Sequence, residues 1–153
     1  MSRSLEDRIN ELEARNQIQE VIANYNHAID KRDIELFSDI WEEDAVWDLG
    51  DPEGSHQNKQ EILERLQISW RDVPETHHYT VNIVISIDME NGIATAMSDL
   101  DSTATNKEGT PLVIAGSYYD TFSNKTGKWR LKERKLKIHY IKPHNPEQVK
   151  VEK

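Results

Sequence analysis

Near its middle the chain contains the segment His78-Tyr79-Thr80-Val81-Asn82-Ile83-Val84-Ile85-Ser86-Ile87, in which apolar residues alternate with mostly polar ones. Successive side chains of a β-strand point to opposite faces, so a spacing of about two residues predicts a strand with two different faces. Before Pro74 the apolar residues instead recur at three- and four-residue steps. This change of period predicts helices in the first half of the chain and a sheet in the second.

Upstream of this segment, three stretches have the apolar spacing of amphipathic helices, and one short stretch is typical of a strand. The first helix is long, and its spacing slips around Arg15-Asn16, so its first turns should pack apart from the core, against another subunit, or fray. Asp33 is a suitable cap for the second helix. The expected helices cover about residues 5–29, 34–41 and 59–70, with a strand over 45–49.

Downstream, turn signals divide the sheet into four strands. Asn91-Gly92 favours a hairpin, and two further Gly-containing turns follow. The strands should form an antiparallel meander over about residues 78–87, 93–106, 111–123 and 128–141. We therefore expect an α+β fold, a cone-like α+β barrel with three helices packed on a curved, mainly antiparallel sheet and a cavity at its open end. One domain should span residues 1–153, with a core over about 12–141 and a loose tail over 143–153.

Composition restricts the function. The 153 residues include 19 Lys and Arg against 28 Asp and Glu, a formal charge of −9, so nucleic acid and anionic membrane are disfavoured partners. The chain has no cysteine, which excludes disulfides, thiolate chemistry and Cys-bound metals. It contains no run of about 20 apolar residues, and its start lacks the apolar stretch of a secretory signal, so we expect a cytoplasmic protein.

His77 and His78 stand at the start of the alternating segment and should point to opposite faces. His78 shares a half-polar face with Thr80 and Asn82, whereas His77 shares the apolar face with Tyr79. A core made by the apolar face favours His77 as the inner histidine, and a polar-lined cavity favours His78. Adjacent strand residues cannot both bind one metal, and no HExxH pattern is present, so we expect no metal site.

Asp30 lies near the C-terminus of the first helix, where a carboxylate costs roughly 0.3–1 kcal/mol unless a cation compensates it. Lys31 and Arg32 can supply that charge. An imidazolium from His78 would do the same and would also form an acid–base pair. Tyr25 lies about 140° around the helix from Asp30 and is either a core aromatic or a side chain at the mouth of the same cavity.

Four further residues are candidates for substrate contacts. Trp47 and Tyr118 would line either the core or the cavity, and Asn82 shares the half-polar face of His78. Arg134 on the last strand would stabilise an oxyanion or a leaving group, or would lie on a solvated face. The sequence contains no Gly-x-Ser-x-Gly motif, phosphate loop or dinucleotide fingerprint, so it offers no machinery for serine hydrolysis, nucleotide hydrolysis or hydride transfer.

Several strings of residues occur in a characteristic order, and they are Ala28-Ile29-Asp30-Lys31-Arg32-Asp33, Trp41-Glu42-Glu43-Asp44-Ala45-Val46-Trp47, His78-Tyr79-Thr80-Val81-Asn82, Gly116-Ser117-Tyr118-Tyr119-Asp120 and Gly127-Lys128-Trp129-Arg130. Together they resemble the SnoaL-like branch of the nuclear transport factor 2-like superfamily, over about residues 12–141. Within it the chain is similar to the cofactor-free lyases scytalone dehydratase, hexachlorocyclohexane dehydrochlorinase and bile-acid 7α-dehydratase. The resemblance implies a catalytic pair of Asp30 and His78, with Tyr25 in the pocket. The last-strand arginine of these lyases has no clean match, since Lys137 and Ile138 fall where it is expected and Arg134 lies several residues earlier.

The implied activity is that of a cofactor-independent lyase, of the dehydratase or dehydrohalogenase type, which acts on a small hydrophobic cyclic substrate without metal or organic cofactor. His78 would be the general base, Asp30 would orient its ring, and Tyr25 would donate to a carbonyl or to the departing oxygen. The alternatives are an isomerase of the ketosteroid type and a non-catalytic domain that binds a small molecule. Members of this superfamily are commonly dimers or trimers, so we expect a homo-oligomer that covers the apolar sheet face.

Overall fold

In the computed structural model, which describes residues 3–144, three helices pack on one six-stranded sheet. The helices are α1 (Leu5–Lys31), α2 (Ile34–Asp39) and α3 (Asn58–Asp72). The strands are β1 (Trp41–Asp48), β2 (Ser55–Gln57), β3 (Glu75–Asp88), β4 (Ile93–Thr105), β5 (Pro111–Ser123) and β6 (Arg130–Pro143). Their order in the sheet is β2-β1-β6-β5-β4-β3, and only β1 and β6 pair in parallel. The expected α+β class with a curved, mainly antiparallel sheet is confirmed.

The meander of β3 to β6 forms as predicted, whereas the region around β1 differs from the prediction. The second helix ends at Asp39, and Trp41 already belongs to β1, where it pairs with Leu131 of β6. The amide of Leu131 also donates to the carbonyl of Ile40, 2.8 Å away. Pairing with a distant strand therefore outweighs the helical spacing at residues 40–41. The sequence did not reveal β2, because three residues are too few to show an alternation.

β3 does not keep one alternation along its length. Its register against β4 shifts between Val81 and Val84, and Asn82 has a φ of 54°. Before this β-bulge Tyr79 and Val81 are exposed, at 62% and 46%, while after it Ile85 is buried. An extra residue in one strand of a pair turns the following side chains to the other face. The expectation that the apolar residues from Tyr79 to Ile87 share one face is therefore wrong.

Helix α1 covers the inner side of the edge strand β3. Its N-terminus is closed by a capping box in which Ser4 and Asp7 exchange hydrogen bonds, and the residues buried along it run from Ala14 to Ile29. The Arg15 guanidinium donates to the carbonyl of Ile85 at 2.9 Å, and Asn26 donates to the Thr80 hydroxyl at 3.0 Å. These contacts hold α1 beside β3 on both sides of its β-bulge. The apolar side chains of the first turns are exposed, among them Leu5, Ile9 and Leu12.

The end of β6 is the last part of the chain that the structure describes. Pro143 closes the strand, and the amide of His144 donates to the carbonyl of Pro111 at 2.9 Å. The remainder of the expected loose tail, from residue 145 onward, lies outside the described residues. Within residues 3–144, no helix combines the length and apolar character that a membrane crossing requires.

Candidate active site

Asp30 and His78 meet where the end of α1 faces the start of β3. The Nδ1 atom of His78 lies 2.6 Å from Oδ1 of Asp30, and the backbone amide of His78 donates to Oδ2 at 2.8 Å. Thr76 adds a third hydrogen bond, from its hydroxyl to Oδ1 at 2.8 Å. The side chains of Asp30 and His78 are only 17% and 14% exposed. The carboxylate is therefore fixed by three donors and in turn fixes the imidazole ring.

These contacts determine the charge of Asp30. Burial alone would raise the pKa of Asp30, but the hydrogen bonds and charge of His78, with the Thr76 hydroxyl, lower it below its usual range. The two neighbouring cations act elsewhere: Lys31 bonds the ring of His27, and Arg32 donates to the carbonyls of Trp70 and Pro74. His78 and Thr76, rather than the adjacent basic residues, thus compensate the carboxylate at the helix end.

His78 borders an apolar cavity of about 170 Å³ between α1, α3 and the inner face of the sheet. Tyr25, Trp47 and Tyr118 line the same cavity. The inner side chains of β4 are mostly small, and among them Ser102 and Ala104 leave space beside His78. Most other lining groups are aliphatic or aromatic, including Leu66, Trp70, Leu100, Ile114, Leu136 and Ile138. The site therefore brings one imidazole into a largely apolar chamber.

The outer side of the same pair borders a groove between α1 and β3. Asp30 and His78 both line this groove, together with Asn26, His77 and Thr80. The groove has a volume of about 390 Å³. Asp30 does not line the apolar cavity, whereas His78 lines both spaces. The imidazole thus forms part of the wall between the chamber and the outer groove.

Arg134 lies behind the two tyrosines. Its guanidinium carbon is 4.1 Å from the ring centroid of Tyr25 and 4.1 Å from that of Tyr118, and its Nε and Nη2 atoms donate to the carboxylate of Asp120. Burial alone would lower the pKa of Arg134, but the Asp120 carboxylate raises it above its usual range. Arg134 is therefore a buried cation that acts on the tyrosine rings and does not line the cavity.

Burial also raises the pKa values of the two tyrosines, Tyr25 and Tyr118. It raises the pKa of Tyr25 to about 12, although the charge of Arg134 opposes this shift. Burial and the nearby Tyr25 raise the pKa of Tyr118 well above its usual range. Both phenols are consequently protonated at neutral pH and can serve as hydrogen-bond donors.

Two sequence-predicted candidates lie away from the cavity. Asn82 is exposed at the bulge, and its side-chain amide donates to Asp99 at 2.9 Å. His77 is exposed on the other face of β3, with its Nε2 atom 3.4 Å from a carboxylate oxygen of Glu75. The structure therefore brings together Asp30, His78, Tyr25, Trp47 and Tyr118, places Arg134 one layer behind them, and leaves out Asn82.

Sequence reasoning missed Thr76, Ser102 and Asp120. Asp120 shares the inner face of β5 with Tyr118 and Phe122, a spacing of two residues that is visible in the sequence. Thr76 and Ser102 give no comparable signal, because Thr76 bonds Asp30, which is far along the chain, and Ser102 lies opposite His78 only through the pairing of β3 with β4. Within the described residues, no group of three or more His, Cys, Asp or Glu side chains is arranged to hold a metal ion.

Comparison with known proteins identifies the family of the chain. A family model for the SnoaL-like domain matches residues 10–135. Gamma-hexachlorocyclohexane dehydrochlorinase from Sphingobium indicum is 24% identical over 139 residues, which are 88% of this chain and 86% of that protein. Hexachlorocyclohexane dehydrochlorinase 1 from the same species is also 24% identical, over 88% of each chain.

Solved structures show the same fold. A type 2 hexachlorocyclohexane dehydrochlorinase has a TM-score of 0.85 at 20% identity, covering 91% of this chain and 94% of the other. A putative scytalone dehydratase from Novosphingobium aromaticivorans has a TM-score of 0.77 at 20% identity, covering 93% of both chains. The chain belongs to the SnoaL-like domain family, within the nuclear transport factor 2-like superfamily.

Proposed function

We propose that the protein is a cofactor-independent lyase that removes water or a hydrogen halide from a small hydrophobic cyclic substrate. His78 takes a proton from carbon through Nε2, and the C–H electron pair forms the new double bond while the leaving group departs with its own bonding pair. Asp30 holds Nδ1 and stabilises the imidazolium that forms. Tyr25 donates a hydrogen bond to a carbonyl or to the departing oxygen.

The observation that carries this proposal is the 2.6 Å contact between Nδ1 of His78 and Asp30 in a wall of the apolar cavity. A carboxylate on one ring nitrogen fixes the tautomer that leaves the other nitrogen free to accept a proton. A domain that only binds a ligand has no need of such a pair, so the contact favours catalysis over binding alone. The names of the relatives, a dehydrochlorinase and a dehydratase, support elimination as the type of reaction.

The remaining candidates act around this pair. Trp47 and Tyr118 contact the substrate in the cavity. Arg134 acts through the tyrosine rings, because its positive charge favours negative charge that develops on an oxygen bound by their hydroxyls. Asn82 has no place in the mechanism, since its side chain is bonded to Asp99 outside the cavity.

The experiment compares His78→Ala with His77→Ala, its neighbour on the opposite face. We expect His78→Ala to keep the fold, measured by circular dichroism, and to lose turnover of a cyclic alcohol or halide, whereas His77→Ala retains both. Turnover unchanged in His78→Ala would refute the mechanism. Deuterium uptake from solvent at carbon without loss of water or halide would assign the alternative isomerase reaction to the same pair.

We also propose that the protein self-associates through the outer face of the sheet. Tyr79, Val84 and Met97 on that face are 62%, 63% and 50% exposed, and Tyr119 and Tyr140 add exposed aromatic surface. Apolar surface of this extent on neighbouring strands is typical of a protein interface. Sedimentation at micromolar concentration should give a dimer or trimer, and Val84→Glu should shift it towards the monomer. A wild-type monomer would refute this proposal.

A further inference from the structure

One end of the apolar cavity carries a cluster of hydrogen-bond donors. The Tyr25 ring lies between those of Trp47 and Tyr118, with centroid distances of 6.2 Å and 5.7 Å. All three side chains line the cavity. We call the indole N–H of Trp47 and the hydroxyls of Tyr25 and Tyr118 the donor cluster.

The donor cluster includes one donor that the described part of the protein leaves unpaired. The buried Nε1 atom of Trp47 has no hydrogen-bond partner among residues 3–144. Indole N–H is only a donor, and each protonated phenol carries one proton and one acceptor oxygen. A donor without an acceptor in an apolar chamber destabilises the protein, so the cluster is suited to an acceptor supplied by a ligand.

The charge behind the donor cluster favours an oxygen acceptor. Arg134 stacks at 4.1 Å from both tyrosine rings, and its Nη1 atom has no hydrogen-bond partner in the described part of the chain. Although the Asp120 carboxylate offsets part of its charge, Arg134 makes the potential at the cluster more positive, which favours an atom with high negative partial charge. A carbonyl or hydroxyl oxygen accepts such hydrogen bonds well, whereas carbon-bound chlorine is a poor acceptor.

From the unpaired donor and the cation behind it, we infer that the cavity selects ligands that carry a carbonyl or hydroxyl oxygen on a small ring over ligands whose only polar atom is a halogen. This inference rests on the proposed function in taking the cavity as the substrate site. It extends that function by assigning the substrate to the oxygenated class. The donor cluster holds the ligand oxygen, and His78 on the cavity wall meets a carbon of the same ring.

The test compares the binding of cyclohex-2-en-1-one with that of chlorocyclohexane, by isothermal titration calorimetry. The ketone should bind at least about tenfold more tightly than the chloride. Tyr118→Phe should weaken ketone binding about three- to tenfold and change chloride binding by less than about twofold, because one neutral hydrogen bond is lost. Tyr119→Phe, the same change at the next residue but on the outer face, should leave both affinities unchanged.

Trp47→Phe provides a second variant should Tyr118→Phe fail to fold, and it should weaken ketone binding in the same direction. Equal affinities for ketone and chloride would overturn the inference, as would an equal loss for both ligands in the folded variants. His78→Ala separates the two proposals, since it should keep ketone binding and lose turnover of a cyclic alcohol or halide. Selective binding without any turnover of a cyclic alcohol or halide in the wild type refutes only the proposed function, and turnover without selective binding refutes only this inference.

Discussion

Arg134 and Asp120 are joined by two parallel hydrogen bonds, Nε to Oδ1 at 2.8 Å and Nη2 to Oδ2 at 2.7 Å, and neither side chain is exposed. Removing one member of a buried ion pair leaves the other charge unpaired, which costs about 3–5 kcal/mol. Asp120→Asn should therefore lower the free energy of unfolding by about this amount, measured with urea. Asp101→Asn, on the exposed face of the sheet, should change it by less than about 0.5 kcal/mol. Similar values for the two variants would contradict this account of the pair.

Asp30 should make stability depend on pH. Because the fold lowers the pKa of Asp30 below its ordinary value of 3.8, the carboxylate stabilises the protein above that pH and loses its contribution as the pH falls through the folded value. The wild type should therefore exceed Asp30→Asn in stability near pH 6, and the difference should shrink below about pH 4. Urea unfolding across this range measures it, with Asp101→Asn as the control. If the stability difference between the wild type and Asp30→Asn instead grew as the pH falls, the fold would not lower the pKa of Asp30.

Thr76 should lower the pKa of the Asp30 carboxyl group. Its hydroxyl donates to Oδ1 at 2.8 Å, and this bond favours the ionised form. Thr76→Val removes the bond with little change in shape, so the pKa of Asp30 should rise towards its ordinary value. A carbon-13 NMR titration of the aspartate carboxyls measures the shift. Thr103→Val, an equivalent change on the exposed face of β4, is the control, and no difference between the variants would exclude the role of Thr76.

Asn82 should determine how far the β-bulge lowers the free energy of unfolding. With a φ of 54° it occupies the left-handed region, where a β-branched residue is strained by roughly 1–2 kcal/mol. Asn82→Val should lower the free energy of unfolding by about that amount or more, since the bond to Asp99 is also lost. Glycine adopts this left-handed backbone conformation without strain. Asn82→Gly should therefore lower the free energy of unfolding, measured with urea, clearly less than Asn82→Val does. Equal losses would show that the backbone conformation is not the cause.

The order of the elements could be predicted from the sequence because it depends on local signals. Turn residues separated the strands of the meander, and the Asp33 cap marked the start of α2, where its carboxylate accepts from the amide of Leu36 at 2.9 Å. The parallel pairing of β1 with β6 was not visible, because it joins residues about 90 positions apart and leaves no periodic trace. Long-range pairing thus set the boundary at Trp41 that local spacing misplaced.

The choice between His77 and His78 was not settled by the alternation alone. Burial favoured His77 if all the apolar residues of β3 shared a face, but the bulge at Asn82 divides them between two faces. The resemblance to the lyases favoured His78, and the structure places His78 on the cavity side. Arg134 was ambiguous for a related reason: a charged strand residue is usually solvated, and only its pairing with Asp120 explains its burial.

In the proposed lyase, the small inner residues of β4 would set the size of the ligand, whereas the chemistry would depend on another part of the fold. Ser102 and Ala104 leave the space beside His78, while the acid–base pair is held by α1 and β3. A single larger side chain on β4 would therefore shrink the chamber without touching Asp30 or His78. Under the proposed function, a substitution on β4 would thus change the bulk of the molecules that the cavity accepts and leave the reaction itself unchanged.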